Sequence, residues 1–337
     1  MKLVSYFEQD MEQLGIWHDG KIYNLSRNAS RFALNIPDTM AMFLMDGEDS
    51  MHDALKLNEE IISGGSKITA SQATIENLLA PVPHPTSCRD GYAFRQHVAA
   101  ARRNRKVEMI AEFDQYPVFY FTNHNAVTGP GEIHLMPDHF QKLDFELEAA
   151  IVIGKQGRNI PAKEADQYIA GYMIMNDFSA RTLQMEEMLL NLGPAKGKDF
   201  ATTIGPWLVT PDELEQFVIP PKTNHTGTNH NLKMVCRVNG QQVSEGNMGD
   251  MDWTFAEIIE RASYGVDLLP GDVIGSGTVG TGCFLELNGT GLLNNPSYQP
   301  QWLQEGDVVE LEIAGLGLLK NTIRKVETDY SILALKK

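Results

Sequence analysis

The chain has 337 residues, 42% of them hydrophobic and 21% charged, and 28 Lys+Arg against 44 Asp+Glu give a formal net charge of -16. That length allows one or two domains with a large core, and the composition is ordinary for a water-soluble globular protein. The acidic balance argues against nucleic acid or an anionic membrane surface as the main partner, and no stretch is apolar and long enough to span a bilayer.

Lys2 to Phe7 and Leu14 to Leu25 read as short strands, with Asp19-Gly20 as a hairpin turn. The opening residues lack the apolar block of a signal peptide, so a cytoplasmic placement is expected. Residues from 38 to 80 carry apolar positions at helical spacing, broken at Gly64-Gly65. Residues 1–80 are therefore expected to form a small N-terminal α+β domain. Ala80-Pro81-Val82-Pro83-His84-Pro85 follows, and three prolines this close make a stiff extended connector. Residues 81–337 are expected to form one catalytic unit, mixed but mainly β.

Within that unit, strands are predicted near 145–153, 170–176, 232–238, 283–287, 307–313 and 316–324. Helices are predicted near 93–105, 162–168, 179–190 and 254–263, and Asn239-Gly240 marks a hairpin. Many short strands with Gly-rich turns favour a rolled or sandwich-like assembly over a doubly wound one. The glycines at 275–282 and 315–317 match neither the dinucleotide nor the P-loop fingerprint. Cys88, Cys236 and Cys283 lie far apart and form no zinc pattern, which suits reduced thiols. The one dense basic run, Arg102-Arg103-Asn104-Arg105-Lys106, is either a solvated helix end or a local attractor for an anionic substrate.

Asp144-Phe145-Glu146-Leu147-Glu148 carries the strongest chemical signal. On a strand, residues i and i+2 project from one face, so Glu146 and Glu148 stand side by side. The apolar run that follows suggests a buried strand, where neighbouring carboxylates repel and are poorly solvated. A hard cation such as Mg²⁺ or Ca²⁺ between them relieves both penalties. Asp177 ends an apolar strand and either joins that ligand set or caps the next helix. Asp90 and His97 are seven apart, so one helix face could present both, and a His beside a carboxylate makes a general base. Lys196 and Lys198 sit among glycines ahead of Thr202 and Thr203, either lining a pocket or forming a solvated loop. Glu286, between Leu285 and Leu287, needs a partner if buried, and a His would serve.

Taken together and in this order, Glu146-Leu147-Glu148, Met175-Asn176-Asp177-Phe178-Ser179-Ala180-Arg181, Gly197-Lys198-Asp199-Phe200-Ala201-Thr202-Thr203 and Gly275-Ser276-Gly277-Thr278 resemble the fumarylacetoacetate hydrolase family. The resemblance spans residues 80–335, and Arg95-Gln96-His97 resembles the branch containing fumarylacetoacetase. It implies a mixed β-sandwich roll and a homodimer. It implies Mg²⁺ or Ca²⁺ held by Glu146, Glu148 and Asp177 with Asp90 as a further ligand, Lys198 and Thr202 lying close to that shell. It also implies His97 as base, Glu286 as the acid that orients it, and Arg181, Gln184 and Lys198 as stabilisers of a developing oxyanion. Tyr92, Tyr120, Gln184 and Thr278 then contact substrate.

The activity so implied is metal-dependent hydrolysis of a carbon–carbon bond in a diketo acid. The expected case is fumarylacetoacetate giving fumarate and acetoacetate, in tyrosine and phenylalanine breakdown. Alternatives are an acylpyruvate hydrolase, a hydratase or decarboxylase of 2-oxo acids, and a catalytically silent metal-binding member of the fold. The chain departs from the family's true fumarylacetoacetases in several places. Met185-Glu186-Glu187-Met188-Leu189-Leu190-Asn191 contains no aromatic residue, the segment before Lys198 is one residue longer, and the N-terminal module is shorter than in the animal enzymes. No arginine matches the one that grips the distal carboxylate, and Arg102, Arg103 and Arg105 are the nearby candidates.

Overall fold

A computed structural model describes residues 1–191 and 193–335. Two sheets dominate. The larger, of ten strands, runs in spatial order Lys21–Asn24, Met11–His18, Lys2–Glu8, Thr202–Val209, Ile169–Asp177, Leu147–Ile153, Val273–Gly275, Cys88–Gly91 and Phe119–Thr122, with Val127–Thr128 pairing Thr202–Val209 off that path. The smaller has five strands in the order Gln241–Asn247, Lys233–Val238, Val308–Ile313, Gly317–Lys325 and Gly131–Leu135. This is the mixed, mainly β sandwich that the resemblance implied.

The strand period of two explains why Leu147–Ile153 lies at the centre. Leu147, Ala149, Ile151 and Ile153 enter a core shared with Met234, Cys236, Val309, Leu311 and Ile313 of the smaller sheet. Ala150 and Val152 enter a second core with Leu3, Leu14, Ile16, Phe43 and Leu57 of the N-terminal part. With both faces covered, every residue of this strand is buried, as is every residue of Ile169–Asp177. Each fully buried aliphatic side chain contributes about 1.5–3 kcal/mol, so this frame is rigid enough to hold charged groups against one another.

The N-terminal residues form three strands and the helices Met40–Asp46 and Glu48–Ile62. Their sheet is continuous with the larger one, because Lys2 pairs with Val209 and Leu3 with Leu208. The division at residue 80 stays a proposal about domains, and the hydrogen-bonded ladder runs across it. No helix among the described residues is long and apolar enough to cross a membrane.

Two sequence expectations are corrected. The strand predicted at 283–287 is the start of a helix, Phe284–Asn294. The alternation of Leu285, Glu286 and Leu287 is too short to separate the two periods, and the buried Asp144 carboxylate decides the outcome by accepting hydrogen bonds from Phe284 N and Leu285 N at 2.7 and 2.9 Å. Asp90 and His97 do not share a helix face. Asp90 lies on the Cys88–Gly91 strand and His97 on the Arg95–Asn104 helix, and the turn between them is anchored by Ala93 N donating to Ser276 O.

Candidate metal centre and active site

The carboxylates converge at adjoining strand ends. Asp90 stands opposite Gly275 on the parallel neighbour, Glu148 opposite Met175, and Asp177 opposite Thr202. Glu146 lies just before its strand, with its N–H donating to the Asn176 side-chain oxygen at 2.9 Å. Asp90, Glu146 and Glu148 each offer a carboxylate oxygen within 4.8 Å of the others, and all three are buried. A Cβ at Gly275 would sit 2.5 Å from Asp90 Oδ1 and 3.0 Å from Glu148 Oε2, so glycine there keeps the space between them open.

Asp177 is held beside this triad by the Tyr120 hydroxyl, by the Thr202 hydroxyl at 3.2 Å and by the Lys198 ammonium at 3.0 Å. Lys198 also contacts Glu146. Arg181 donates to Asp144 and Glu146 at 2.8 Å each and to the Gln184 side-chain oxygen at 2.9 Å. Lys198 and Arg181 therefore act first as counter-ions within the carboxylate cluster. Thr278, matched to a substrate contact, donates to Glu148 Oε1 at 3.3 Å, and the adjoining backbone at Gly277 donates to Asp90 at 3.0 Å.

Electrostatics gives the cluster its direction. Burial and the charge of Asp177 push Asp90 up to about 7. Burial and then Asp90 raise Glu148 well above the usual carboxylate range, and burial raises Asp177. Burial works against Glu146 as well, yet Lys198 and Arg181 hold it down to about 2. Lys198 is raised by Asp177 and Glu146 against the pull of burial, and so stays an ammonium. Asp90, Asp144, Glu146, Glu148 and Asp177 are all buried against the two buried cations Lys198 and Arg181. Glu148 Oε2 is buried and lacks a hydrogen-bond partner among the described residues. An orphaned carboxylate oxygen, an excess of buried negative charge and a cradle of three oxygen donors fit a hard divalent cation.

Beside the cluster, His97 Nδ1 lies 2.6 Å from Glu286 Oε2. The other Glu286 oxygen accepts from Thr281 N at 3.0 Å, in the loop that carries Thr278. A carboxylate at Nδ1 places the ring proton there and leaves Nε2 as the acceptor. Tyr92 packs edge-on against the imidazole with ring centroids 5.9 Å apart. The loop needs glycine at 277, where φ is +78° and a Cβ would meet Gly91 O at 2.6 Å.

Arg102 and Arg103 follow His97 on its helix and Arg105 caps its end; they bond Glu108 O, Thr290 and Ala101 O respectively. Asp144 and Asn176 are the site residues that the sequence reading passed over. Asp144 sits in the quoted Asp-x-Glu-x-Glu run, but nothing in its spacing foretells contacts with residues 181 and 284.

A family model described as fumarylacetoacetate (FAA) hydrolase C-terminal matches residues 86–324. The chain belongs to the fumarylacetoacetate hydrolase family. It is 32% identical over 304 residues, 88% of this chain and 83% of the relative, to a Homo sapiens protein named oxaloacetate tautomerase FAHD2A, mitochondrial. It is 29% identical over 330 residues, 96% of this chain and 91% of the relative, to the Rattus norvegicus oxaloacetate tautomerase Fahd2a, mitochondrial. The crystal structure of the fumarylacetoacetate hydrolase from Exiguobacterium antarcticum shares the fold, with a TM-score of 0.69 and 24% identity over 97% of this chain and all of that one. The mixed β architecture is thus that of the fumarylacetoacetate hydrolase fold.

Proposed function

We propose that this fumarylacetoacetate hydrolase family member moves a proton at the carbon beside the ketone of a 2-oxo acid, interconverting keto and enol forms, with oxaloacetate as the leading substrate. The observation that carries the reading is the His97–Glu286 pair, 2.6 Å apart and buried beside the carboxylate cradle. Similarity to proteins named oxaloacetate tautomerases over most of both chains supports the substrate.

A divalent ion such as Mg²⁺ or Ca²⁺, bound by Asp90, Glu146 and Glu148 with Asp177 alongside, would supply Lewis acidity toward the substrate's ketone and carboxylate oxygens. His97 Nε2 accepts the proton from carbon, or returns it in the reverse direction, while Glu286 offsets the imidazolium charge. Lys198 keeps its charge and faces the developing enolate, and Arg181 keeps Glu146 ionised. Tyr92 against the His97 ring, Tyr120 and Thr278 on the cradle carboxylates and Gln184 on Arg181 are the residues assigned to substrate contact. One proton leaves and one returns, so the reaction needs no co-reactant.

The same pair would also activate water, which favours a second reading: hydrolysis of a carbon–carbon bond in a diketo acid such as fumarylacetoacetate or an acylpyruvate. Turnover assays with enol-oxaloacetate, fumarylacetoacetate and acetylpyruvate, each with Mg²⁺ and with chelator, separate the two. Loss of the enol absorbance faster than its spontaneous decay, without cleavage of either diketo acid, supports the tautomerase. Cleavage without enol loss supports the hydrolase, and turnover unaffected by chelator removes the cation from both. A homodimer and a cytoplasmic placement belong with these proposals.

A further inference from the structure

We infer that Asp144 is a positioning residue that locks the carboxylate cradle and the His97–Glu286 pair into one unit. The inference rests on the reading of Glu146 as a cation ligand and His97 as base. Asp144 is fully buried, and its carboxylate reaches in two directions, Oδ2 toward both the cradle and the helix and Oδ1 toward the helix. Toward the cradle, it accepts from Arg181 Nε at 2.8 Å, and the same guanidinium continues to Glu146 Oε1 at 2.8 Å. Toward the base, it accepts from Phe284 N at 2.7 Å and Leu285 N at 2.9 Å, the opening turn of the helix that carries Glu286.

Each arm has a physical reason to be stiff. A guanidinium fork between two carboxylates fixes direction as well as distance. A carboxylate on the free N–H groups of a first helical turn fixes where that turn begins. Glu286 lies one residue beyond Leu285, so displacement of the turn moves the carboxylate that holds His97 Nδ1. A single anion therefore sets how far the base stands from Glu146. Asn at this position keeps one acceptor oxygen and turns an NH₂ group either toward Phe284 N or toward Arg181 Nε and Leu285 N, so the helix turn loses an acceptor in both orientations and Arg181 loses its carboxylate partner's charge.

The test uses Asp144→Asn in the full chain, with two readouts besides turnover: the dissociation constant for Mg²⁺ by calorimetry, and the downfield ¹H resonance of the His97 Nδ1 proton. The expected result is weaker Mg²⁺ binding by about 10–100-fold, the range for residues that orient a metal ligand, together with an upfield shift or loss of that resonance. Leu311→Ala, a core substitution on the smaller sheet, lowers thermal stability and leaves both readouts unchanged, which separates positioning from general loosening. A folded Asp144→Asn protein in which either readout matches wild type overturns the inference.

Should that variant fail to fold, Arg181→Lys decides. It keeps the charge but gives up the fork, so Mg²⁺ binding must weaken by about tenfold, and unchanged affinity overturns the inference. Failure of the underlying functional reading looks different: wild-type protein that binds no Mg²⁺, or turnover that survives in His97→Asn.

Discussion

Replacing Glu286 with Gln probes the base most cleanly. Glu286 has two obligations: one oxygen faces His97 Nδ1 at 2.6 Å, and the other accepts from Thr281 N at 3.0 Å. A glutamine amide has one acceptor and one donor end, so whichever way it is turned, one N–H meets an NH₂ group. The buried donor left unmet costs about 1–3 kcal/mol. The lost carboxylate charge also removes a charge-assisted bond to the imidazolium, which is worth about 1.5–3 kcal/mol. Part of this sum falls on the ground state, so about 3 kcal/mol of barrier, or on the order of a hundredfold in kcat, is expected. Steady-state kinetics over pH checks this, with kcat falling and Mg²⁺ affinity held. A kcat within about twofold of wild type would refute the assignment of Glu286 as the group that orients the base.

Glu148→Gln should raise the melting temperature of the metal-free protein, because it removes a buried carboxylate whose Oε2 has no partner among the described residues, while abolishing the stabilisation by Mg²⁺; a metal-free form that melts lower would contradict this. Gly277→Ala forces a side chain onto a φ of +78° with its Cβ 2.6 Å from Gly91 O, and should lower stability by at least about 1 kcal/mol and turnover with it, by denaturant unfolding and kinetics. His230 is buried and pushed down to about 4 by that burial, so the unfolded chain takes up its proton first. Its contribution is present above pH 6.5, the ordinary value, and is lost as pH falls through the window from 6.5 to about 4, by up to about 3 kcal/mol. His230→Gln should flatten that part of the stability–pH curve measured by denaturant titration, and an unchanged slope would place the acid sensitivity elsewhere.

Local sequence made part of the site legible. The i, i+2 spacing of Glu146 and Glu148 ahead of a fully apolar run foretold two buried carboxylates, and both are buried. The position of Asp177 at the end of an apolar strand left it either a ligand or a helix cap; it is fully buried among Lys198, Tyr120 and Thr202, and no side chain caps the helix Arg181–Met188. What failed was whatever depends on distant partners. Residues 283–287 read as a strand because Asp144, far away in sequence, is what starts the helix there. Asp90 and His97 meet the cluster from a strand and a helix joined by a turn, which a spacing of seven cannot distinguish from one helix. The pairing of Lys2 with Val209 and of Leu3 with Leu208 was equally illegible, since nothing in the first strand names those partners.

The central claim is that His97 moves a proton at carbon on a 2-oxo acid bound beside the carboxylate cradle. Exchange of the C3 protons of oxaloacetate with D₂O, followed by NMR in the presence of Mg²⁺, reads that step directly. Wild-type protein should accelerate exchange above the Mg²⁺-only background, and His97→Asn should return it to background while still binding Mg²⁺. Exchange that persists in His97→Asn, or that is absent in wild-type protein with Mg²⁺ bound, would contradict the account.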